Sequence, residues 1–219
     1  MKKFFRIMMV TLAAAILLAA PAVAGPWNVG DQITYTLSDS VGTPYGSGGL
    51  FTITNTDTLA VTESFCIELN EHIYQNDFVS SISGSAVAGG RGGGSPDPIS
   101  SATDWLFANF SIGNNLYQNH GALQIAFWIL EDEVTVTEAN SWFNAGLLST
   151  ANNYVAAALT HSTGSYGTQV LNLADVLGPT GNPHQSQLVH NPVPVPPALL
   201  LLGSGLIGLL TVRRRKIRP

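Results

Sequence analysis

Polar and apolar residues alternate along much of the chain between residues 33 and 69, which is the pattern of half-buried β-strands. The alternation predicts three strands that begin near Ile33, Leu50 and Val61. The glycine-rich runs 46–49 and 89–94 are predicted to be loops, and the second lacks the lysine and hydroxyl residue of a phosphate-binding loop. This part of the chain is therefore predicted to be a β-sheet punctuated by turns.

The pattern changes to a helical period in the middle of the chain. Helices are predicted from residue 103 to 113, from about 119 to 132, and from 149 to 159, where apolar residues recur three and four positions apart. Strand-like patterns return at 167–173 and 187–189. Strands, helices and again strands predict an α+β domain, with a β-sandwich or antiparallel sheet and a helical insertion.

Charge is distributed very unevenly along the 219 residues. Residues 25–212 hold all fourteen acidic side chains and one basic side chain, Arg91, which gives this stretch a net charge of −13. Such a surface excludes nucleic acid as a ligand and favours cationic partners. The single cysteine, Cys66, excludes an internal disulfide. No cofactor is predicted.

The chain begins with a segment typical of secretory signal peptides. Residues 1–24 combine a basic start, an apolar run and the small residues Ala22, Val23 and Ala24. We expect cleavage after Ala24, which leaves an exported domain over residues 25–190. The alternative is an uncleaved membrane anchor, for which the apolar run is short.

A second apolar segment lies near the C-terminus. Residues 193–212 carry no charge and are followed by a cluster of arginines that begins at Arg213. Because prolines occupy its start, the predicted transmembrane helix covers residues 197–212. The basic cluster is expected to stay in the cytoplasm, which places the acidic domain outside the inner membrane.

Residues 191–219 resemble the PEP-CTERM sorting domain, because a proline box, an apolar stretch containing Gly-Ser-Gly and an arginine run follow one another. The residues that carry the resemblance are Val193, Pro194, Pro196, Gly203, Gly205, Arg213, Arg214 and Arg215. The chain departs from the family at Val195, where glutamate is common. The resemblance implies insertion in the inner membrane, cleavage by an exosortase, and delivery to the cell surface or extracellular matrix. A permanent membrane anchor is the alternative.

Cys66 and Gln124 are the residues best suited to chemistry. On the predicted strand 61–69, Cys66 shares a face with polar residues and not with Phe65, which is unusual for an inert buried thiol. Gln124 is the one polar residue in an apolar stretch of the second helix, so it is expected to lie inside. An unpaired buried amide costs about 1–3 kcal/mol, so Gln124 needs a partner.

The two residues can become one chemical group. Attack of the Cys66 thiolate on the side-chain carbonyl of Gln124, with loss of ammonia, yields an internal thioester. Such a bond survives only where water is excluded, and the neighbouring Phe65, Phe127 and Trp128 are expected to exclude it.

The segments around these residues resemble the thioester domains of bacterial surface adhesins. An aromatic–Cys–aliphatic step at Phe65-Cys66-Ile67 and a Gln-x-x-aromatic-Trp step ending at Trp128 carry the resemblance, which spans roughly residues 65–173 in its order of elements. It implies a Cys66–Gln124 thioester that captures an amine or similar nucleophile on a surface or matrix partner. Capture consumes the bond, so the protein is not expected to be an enzyme.

The sequence also fits a protein without a reactive bond. This would be a passive structural or carbohydrate-associated matrix protein, with Cys66 a small buried side chain and Gln124 bonded to backbone. A hydrolase built on Cys66 and His72 is disfavoured, since an extended strand separates them by about 20 Å. The histidines lack zinc spacing, and the acidic run 131–133 is predicted to be a solvated helix end, so no metal site is predicted.

Overall fold

The computed structural model describes residues 26–111, 117–178 and 180–190. Within these ranges the chain forms eight β-strands and four α-helices, and every strand pairing is antiparallel. The predicted α+β class with antiparallel sheet is therefore confirmed. The signal peptide, the transmembrane helix at 197–212 and all the sorting-signal residues lie outside the described residues. No helix in the described ranges is both long enough and apolar enough to cross a bilayer.

The elements follow one another in three groups. The strands before the helices are β1 (Ile33–Thr43), β2 (Gly46–Asn55), β3 (Val61–Ser64), β4 (Phe78–Ser83), β5 (Ser85–Ala86) and β6 (Asp97–Pro98). The helices are α1 (Ser101–Ser111), α2 (His120–Leu130), α3 (Val136–Trp142) and α4 (Ala145–Leu159). The last strands are β7 (Thr168–Ala174) and β8 (Pro183–His190).

The strands form two three-stranded sheets and one small two-stranded ribbon. One sheet has the order β1-β2-β3, the other has the order β4-β7-β8, and β5 pairs with β6. All four helices lie in sequence between β6 and β7, so they form the helical insertion that the sequence predicts. The run 46–49 belongs to β2, so its prediction as a loop was wrong, whereas 89–94 is a loop.

The chain passes from one sheet to the other just after β3, through Phe65–Ile67, which we call the crossing segment. The N–H of Ile67 donates to the Ser186 carbonyl, and the N–H of Leu188 donates to the Phe65 carbonyl, so the segment pairs with β8. The predicted strand 61–69 therefore ends at Ser64. The polar residues predicted to share a face with Cys66 do not make that face solvated, because the crossing segment is covered on both sides. Phe65, Cys66, Ile67 and Glu68 are all fully buried.

Helix α2 lies at the centre of the domain. Its residues from Gly121 to Trp128 are all buried, so it is covered on every face, as its continuous apolar sequence requires. The Asn119 side chain accepts a hydrogen bond from the Ala122 N–H and caps the helix, close to the predicted start. This rigid, fully covered helix carries Gln124 into the core.

The other helices differ from the prediction at their beginnings. Helix α1 starts two residues before Thr103, and the Ser100 hydroxyl accepts the Thr103 N–H. Asp104 instead accepts the backbone N–H groups of Tyr166 and Thr168, which holds the start of β7. Helix α3 was not predicted, and α4 begins at Ala145 because Asn144 caps it. The predicted end of the first helix at Gly113 lies outside the described residues.

Candidate functional site

The side chains of Cys66 and Gln124 meet in the core. Cys66 Sγ lies 3.3 Å from Gln124 Oε1, and neither residue is exposed to solvent. Cys66 comes from the crossing segment and Gln124 from α2, so two elements 58 residues apart in sequence supply the contact. The structure thus brings together the pair that the sequence analysis selected.

Backbone hydrogen bonds fix the Gln124 carboxamide on both of its polar atoms. Gln124 Oε1 accepts the N–H of Gly49 and the N–H of Cys66, each at 3.2 Å. Gln124 Nε2 donates to the Cys66 carbonyl at 2.9 Å. Two N–H donors on one carbonyl oxygen draw electrons from the carbonyl carbon and stabilise negative charge on that oxygen, as an oxyanion hole does.

The two N–H groups are free because the sheet ends where the carboxamide lies. Phe51 pairs with Ser64 in the β2–β3 ladder, and continuing this register by two residues places Gly49 opposite Cys66. At that point the crossing segment turns to β8, with Cys66 forming a bridge to Gln187. The Gln124 carboxamide therefore satisfies backbone groups that a longer β3 would have paired.

The neighbouring strand β1 is bulged opposite Gly49. Ser38 pairs with Leu50 and Val41 pairs with Gly48, so two residues of β1 face Gly49 alone. A Cβ on Gly49 would lie 2.8 Å from the carbonyl oxygens of Ser38 and Asp39, so only glycine allows this close approach. The sequence analysis placed Gly49 and its neighbour Gly48 in a loop, and so missed the close approaches that they allow.

The aromatic ring of Trp128 packs against Gly48, next to the carboxamide. A Cβ on Gly48 would lie 2.5 Å from Trp128 Cζ2 and 3.0 Å from Gln124 Cδ. On its other side Trp128 stacks on Phe143, with ring centroids 6.4 Å apart and planes at 18°. Trp128 is 1% exposed, so it closes the core over Gln124 on the β2 side.

Phe65 and Phe127 belong to a separate aromatic cluster. Their ring centroids lie 5.2 Å apart, and both rings contact aromatic residues of α1, Phe107 and Phe110. Phe65 and Phe127 are fully buried. The three residues predicted to exclude water are therefore all in the core, with Trp128 next to the carboxamide and the two phenylalanines packed toward α1.

The environment of the thiol opposes its ionisation. Burial raises the pKa of the Cys66 thiol well above its usual value, and the Glu68 carboxylate adds to this effect. The indole N–H of Trp128, which makes no regular hydrogen bond to any described residue, opposes the rise in the pKa of Cys66. The thiol is therefore protonated at neutral pH, and oxidation is slow because the thiolate is the reactive form.

Buried carboxyl groups surround the crossing segment. Burial, with a smaller contribution from Glu71, raises the pKa of Glu68 to about 8, although Glu68 Oε2 accepts the Ser186 N–H. Glu68 Oε1 has no hydrogen-bond partner among the residues that the structure describes. Burial and the nearby Glu133 raise the pKa of the half-buried Glu71 to about 7.

The acidic run 131–133 is not a solvated helix end, so that prediction was wrong. Glu133 is 2% exposed and accepts the backbone N–H groups of Leu69, Arg91 and Gly92, which joins the glycine-rich loop to the chain after Cys66. The buried Glu131 accepts hydrogen bonds from the N–H and the hydroxyl of Ser100. Backbone N–H groups and the Ser100 hydroxyl donate the hydrogen bonds that these carboxylates accept.

The histidines have their own surroundings, apart from Cys66. His120 contacts Asp39 at 2.6 Å, and His184 contacts Asp77 at 2.8 Å. His72 is exposed and has no hydrogen bond to Cys66 among the described contacts. Within the described ranges no three His, Cys, Asp or Glu residues are grouped as metal ligands would be.

Comparisons with protein-family models, with characterised proteins and with solved structures give no match for this chain.

Replacing Gly48 with alanine should disturb the Cys66–Gln124 contact. The new methyl group overlaps Trp128 and touches Gln124 Cδ, and overpacking of this kind costs about 1–3 kcal/mol of unfolding free energy. Gly42→Ala is the matched control, since a Cβ there meets nothing within 4 Å. Urea denaturation of both variants measures the effect, and equal midpoints for the two would contradict this packing of Trp128 on β2.

The buried Glu68 should make the domain less stable as pH rises. Between the usual pKa of 4.5 and about 8, the folded state keeps a proton that the unfolded chain has lost, so unfolding free energy falls across this range. In Glu68→Gln this fall should be smaller, by an amount on the order of a few kcal/mol. The raised pKa of Glu71 also lowers the unfolding free energy as pH rises, and it does so in both wild type and Glu68→Gln. Glu63→Gln, at an exposed position, is the control. Denaturant midpoints measured from mildly acidic to mildly alkaline pH test this, and an unchanged slope in Glu68→Gln would be inconsistent with it.

Proposed function

We propose that Cys66 and Gln124 form an internal thioester, and that the exported protein uses this bond to attach covalently to a nucleophile on a surface or matrix partner. The observation that carries the proposal is the buried contact of 3.3 Å between Cys66 Sγ and a Gln124 carbonyl whose oxygen accepts two backbone N–H groups. The resemblance of the two sequence segments to adhesin thioester domains supports it.

Formation of the bond is possible with the groups present. Cys66 Sγ attacks Gln124 Cδ, and negative charge develops on Oε1, where the N–H groups of Gly49 and Cys66 receive it. The C–N bond then breaks, the thiol proton leaves with the nitrogen, and ammonia is released. The thiol and carboxamide seen in the structure are thus the precursors of the bond.

Capture of a partner reverses the roles of the two side chains. A primary amine attacks Gln124 Cδ, the C–S bond breaks, and the amine proton passes to the Cys66 sulfur. The product is an amide between Gln124 and the partner, with a free Cys66 thiol. Each molecule reacts once, because no step restores the thioester, so we do not propose an enzyme.

Water must be excluded for the bond to persist. Phe65, Phe127 and Trp128 are at most 1% exposed, and the pair itself has no exposed surface. A buried carbonyl reacts slowly with water because the attacking molecule must leave bulk solvent. The role proposed for the three aromatic residues is therefore to extend the lifetime of the thioester until a partner arrives.

Export and sorting belong to the same proposal and rest on the sequence. The signal peptide at residues 1–24 delivers the chain across the inner membrane, and the PEP-CTERM-like segment 191–219 holds it there until an exosortase-type protease releases it to the surface or matrix. The net charge of −13 over residues 25–212 suits a solvated domain that meets cationic groups of a partner.

A passive structural or carbohydrate-associated matrix protein is the second candidate. The observation that favours it is the non-covalent bonding of the Gln124 carboxamide, in which Oε1 accepts two backbone N–H groups and Nε2 donates to the Cys66 carbonyl. In that case Cys66 is a buried side chain without reactivity.

Intact mass separates the two candidates. We expect freshly purified protein to be lighter than its sequence by one ammonia, and methylamine to raise the mass by one methylamine. Cys66→Ala and Gln124→Ala should have the masses calculated from their sequences and should not react with methylamine. The exposed control Gln118→Ala should behave as wild type. A full wild-type mass with a free thiol in the native state would remove the thioester and leave the passive protein.

Sorting can be followed separately with an epitope tag placed after Pro219. If an exosortase-type protease cuts near Pro194 and Pro196, surface material should carry the acidic domain and lack the tag. Replacement of Arg213, Arg214 and Arg215 by glutamine should reduce this processing, because the basic cluster no longer fixes the orientation of the apolar segment. Surface protein that keeps the tag would indicate a permanent membrane anchor instead.

A further inference from the structure

A cleft of about 110 Å³ lies beside the Cys66–Gln124 pair, and we call it the Trp128 cleft. Its lining includes Ser47, Glu71, His72, Trp128 and Gln185. Neither Cys66 nor Gln124 lines it, so the reactive pair is outside the cleft and behind one of its walls.

Trp128 forms that wall. The edge of its ring lies 2.5 Å from the position of a Cβ on Gly48, and Gln124 Cδ lies 3.0 Å from the same position. Ser47, the residue before Gly48, lines the cleft. Trp128 therefore both lines the cleft and packs beside Gly48, next to the Gln124 carboxamide.

The charge of the cleft favours a cation. Glu71 Oε2 is buried and has no hydrogen-bond partner among the described residues. Burial and the Glu133 carboxyl group raise the pKa of Glu71, His184 lowers it, and Glu71 in turn raises the pKa of Glu68. His72 lies on the same lining. Arg91, the one basic residue between 25 and 212, is held by Glu138 at 2.7 Å and does not line the cleft.

We propose that the Trp128 cleft admits the ammonium group of a primary amine, such as a lysine side chain, and that Glu71 removes its proton before the amine attacks Gln124 Cδ. The inference rests on the proposed thioester and adds the route of the amine and its proton acceptor. The Trp128 ring must shift for the attack, since Trp128 lines the cleft and Gln124 does not.

The protons and bonds balance. The ammonium gives one proton to the Glu71 carboxylate and becomes a neutral amine. The amine forms a C–N bond to Gln124 Cδ while the C–S bond breaks, and its second proton goes to the Cys66 sulfur. Because burial and Glu133 bring the pKa of Glu71 to about 7, both of its protonation states are populated near neutral pH, as a proton acceptor requires.

The rate of methylamine capture by the full exported domain, measured by intact mass near neutral pH, tests this role. General-base assistance contributes at least about 100-fold, so Glu71→Gln should capture methylammonium about 100-fold more slowly than wild type. Hydroxylamine is uncharged near neutral pH and needs no such proton acceptor, so its capture should change less than about 3-fold. Glu63→Gln, which removes an exposed charge, should react as wild type with both.

A second variant tests the route without altering Glu71. Ser47 is exposed at the cleft, so Ser47→Trp should narrow the entrance while the ammonia-deficient mass still forms. Capture of methylamine should then slow at least about 10-fold, because the nucleophile loses access.

The failures of the two proposals have different signatures. A wild-type mass without loss of ammonia contradicts the thioester itself. An ammonia-deficient wild type whose methylamine rate equals that of Ser47→Trp overturns the Trp128 cleft as the route. If Glu71→Gln forms the bond and slows methylamine and hydroxylamine equally, or slows neither, Glu71 is not the proton acceptor.

Discussion

The arrangement depends on one constraint, which is that the chain ends its pairing with β2 at Ser64 and joins β8 within three residues. A crossing of this kind interrupts a ladder in the buried interior, where unpaired backbone N–H groups are costly. The Gln124 carboxamide fills the interruption, bonding to the N–H groups of Gly49 and Cys66 and to the Cys66 carbonyl. The same three bonds that complete the fold hold the carbonyl oxygen 3.3 Å from the Cys66 thiol.

In the proposed thioester, structure and reactivity are not separate features of this core. The β-bulge opposite Gly49 and the missing side chain of Gly48 bring β2 close to α2, and Trp128 fills the remaining space. Each of these features improves packing, and each also holds the thiol and carboxamide in place with water excluded. A site formed by fully buried backbone and helix is more rigid than one formed by surface loops, which suits a reaction that depends on proximity.

The sequence predicted the parts of this structure that local pattern determines. The long apolar run of α2 and its start near residue 119 were predicted, and so was the pairing of Cys66 with Gln124, since a lone buried amide needed a partner. Alternation did not predict that both faces around Cys66 are buried, because it assumes one strand in one sheet, and the crossing to β8 is a long-range event. Gly48 and Gly49 were predicted to lie in a loop, because the close approach that they allow is defined only in the folded chain. The buried Glu131 and Glu133 were missed for the same reason: their partners are backbone N–H groups from distant segments.

In the proposed reaction, the hydrogen bonds of Gln124 also affect the domain after capture of a partner. A thioester between residues 66 and 124 would close a loop of 58 residues and stabilise the fold by about 4 kcal/mol on the chain-entropy model. Attack by an amine opens that loop, so the domain must rely on its non-covalent core. The product amide keeps a carbonyl oxygen and one N–H, which are the groups that now bond to Gly49 and Cys66. The backbone bonds of the carboxamide can therefore re-form in the product, so the crossing segment stays paired while Gln124 carries the partner.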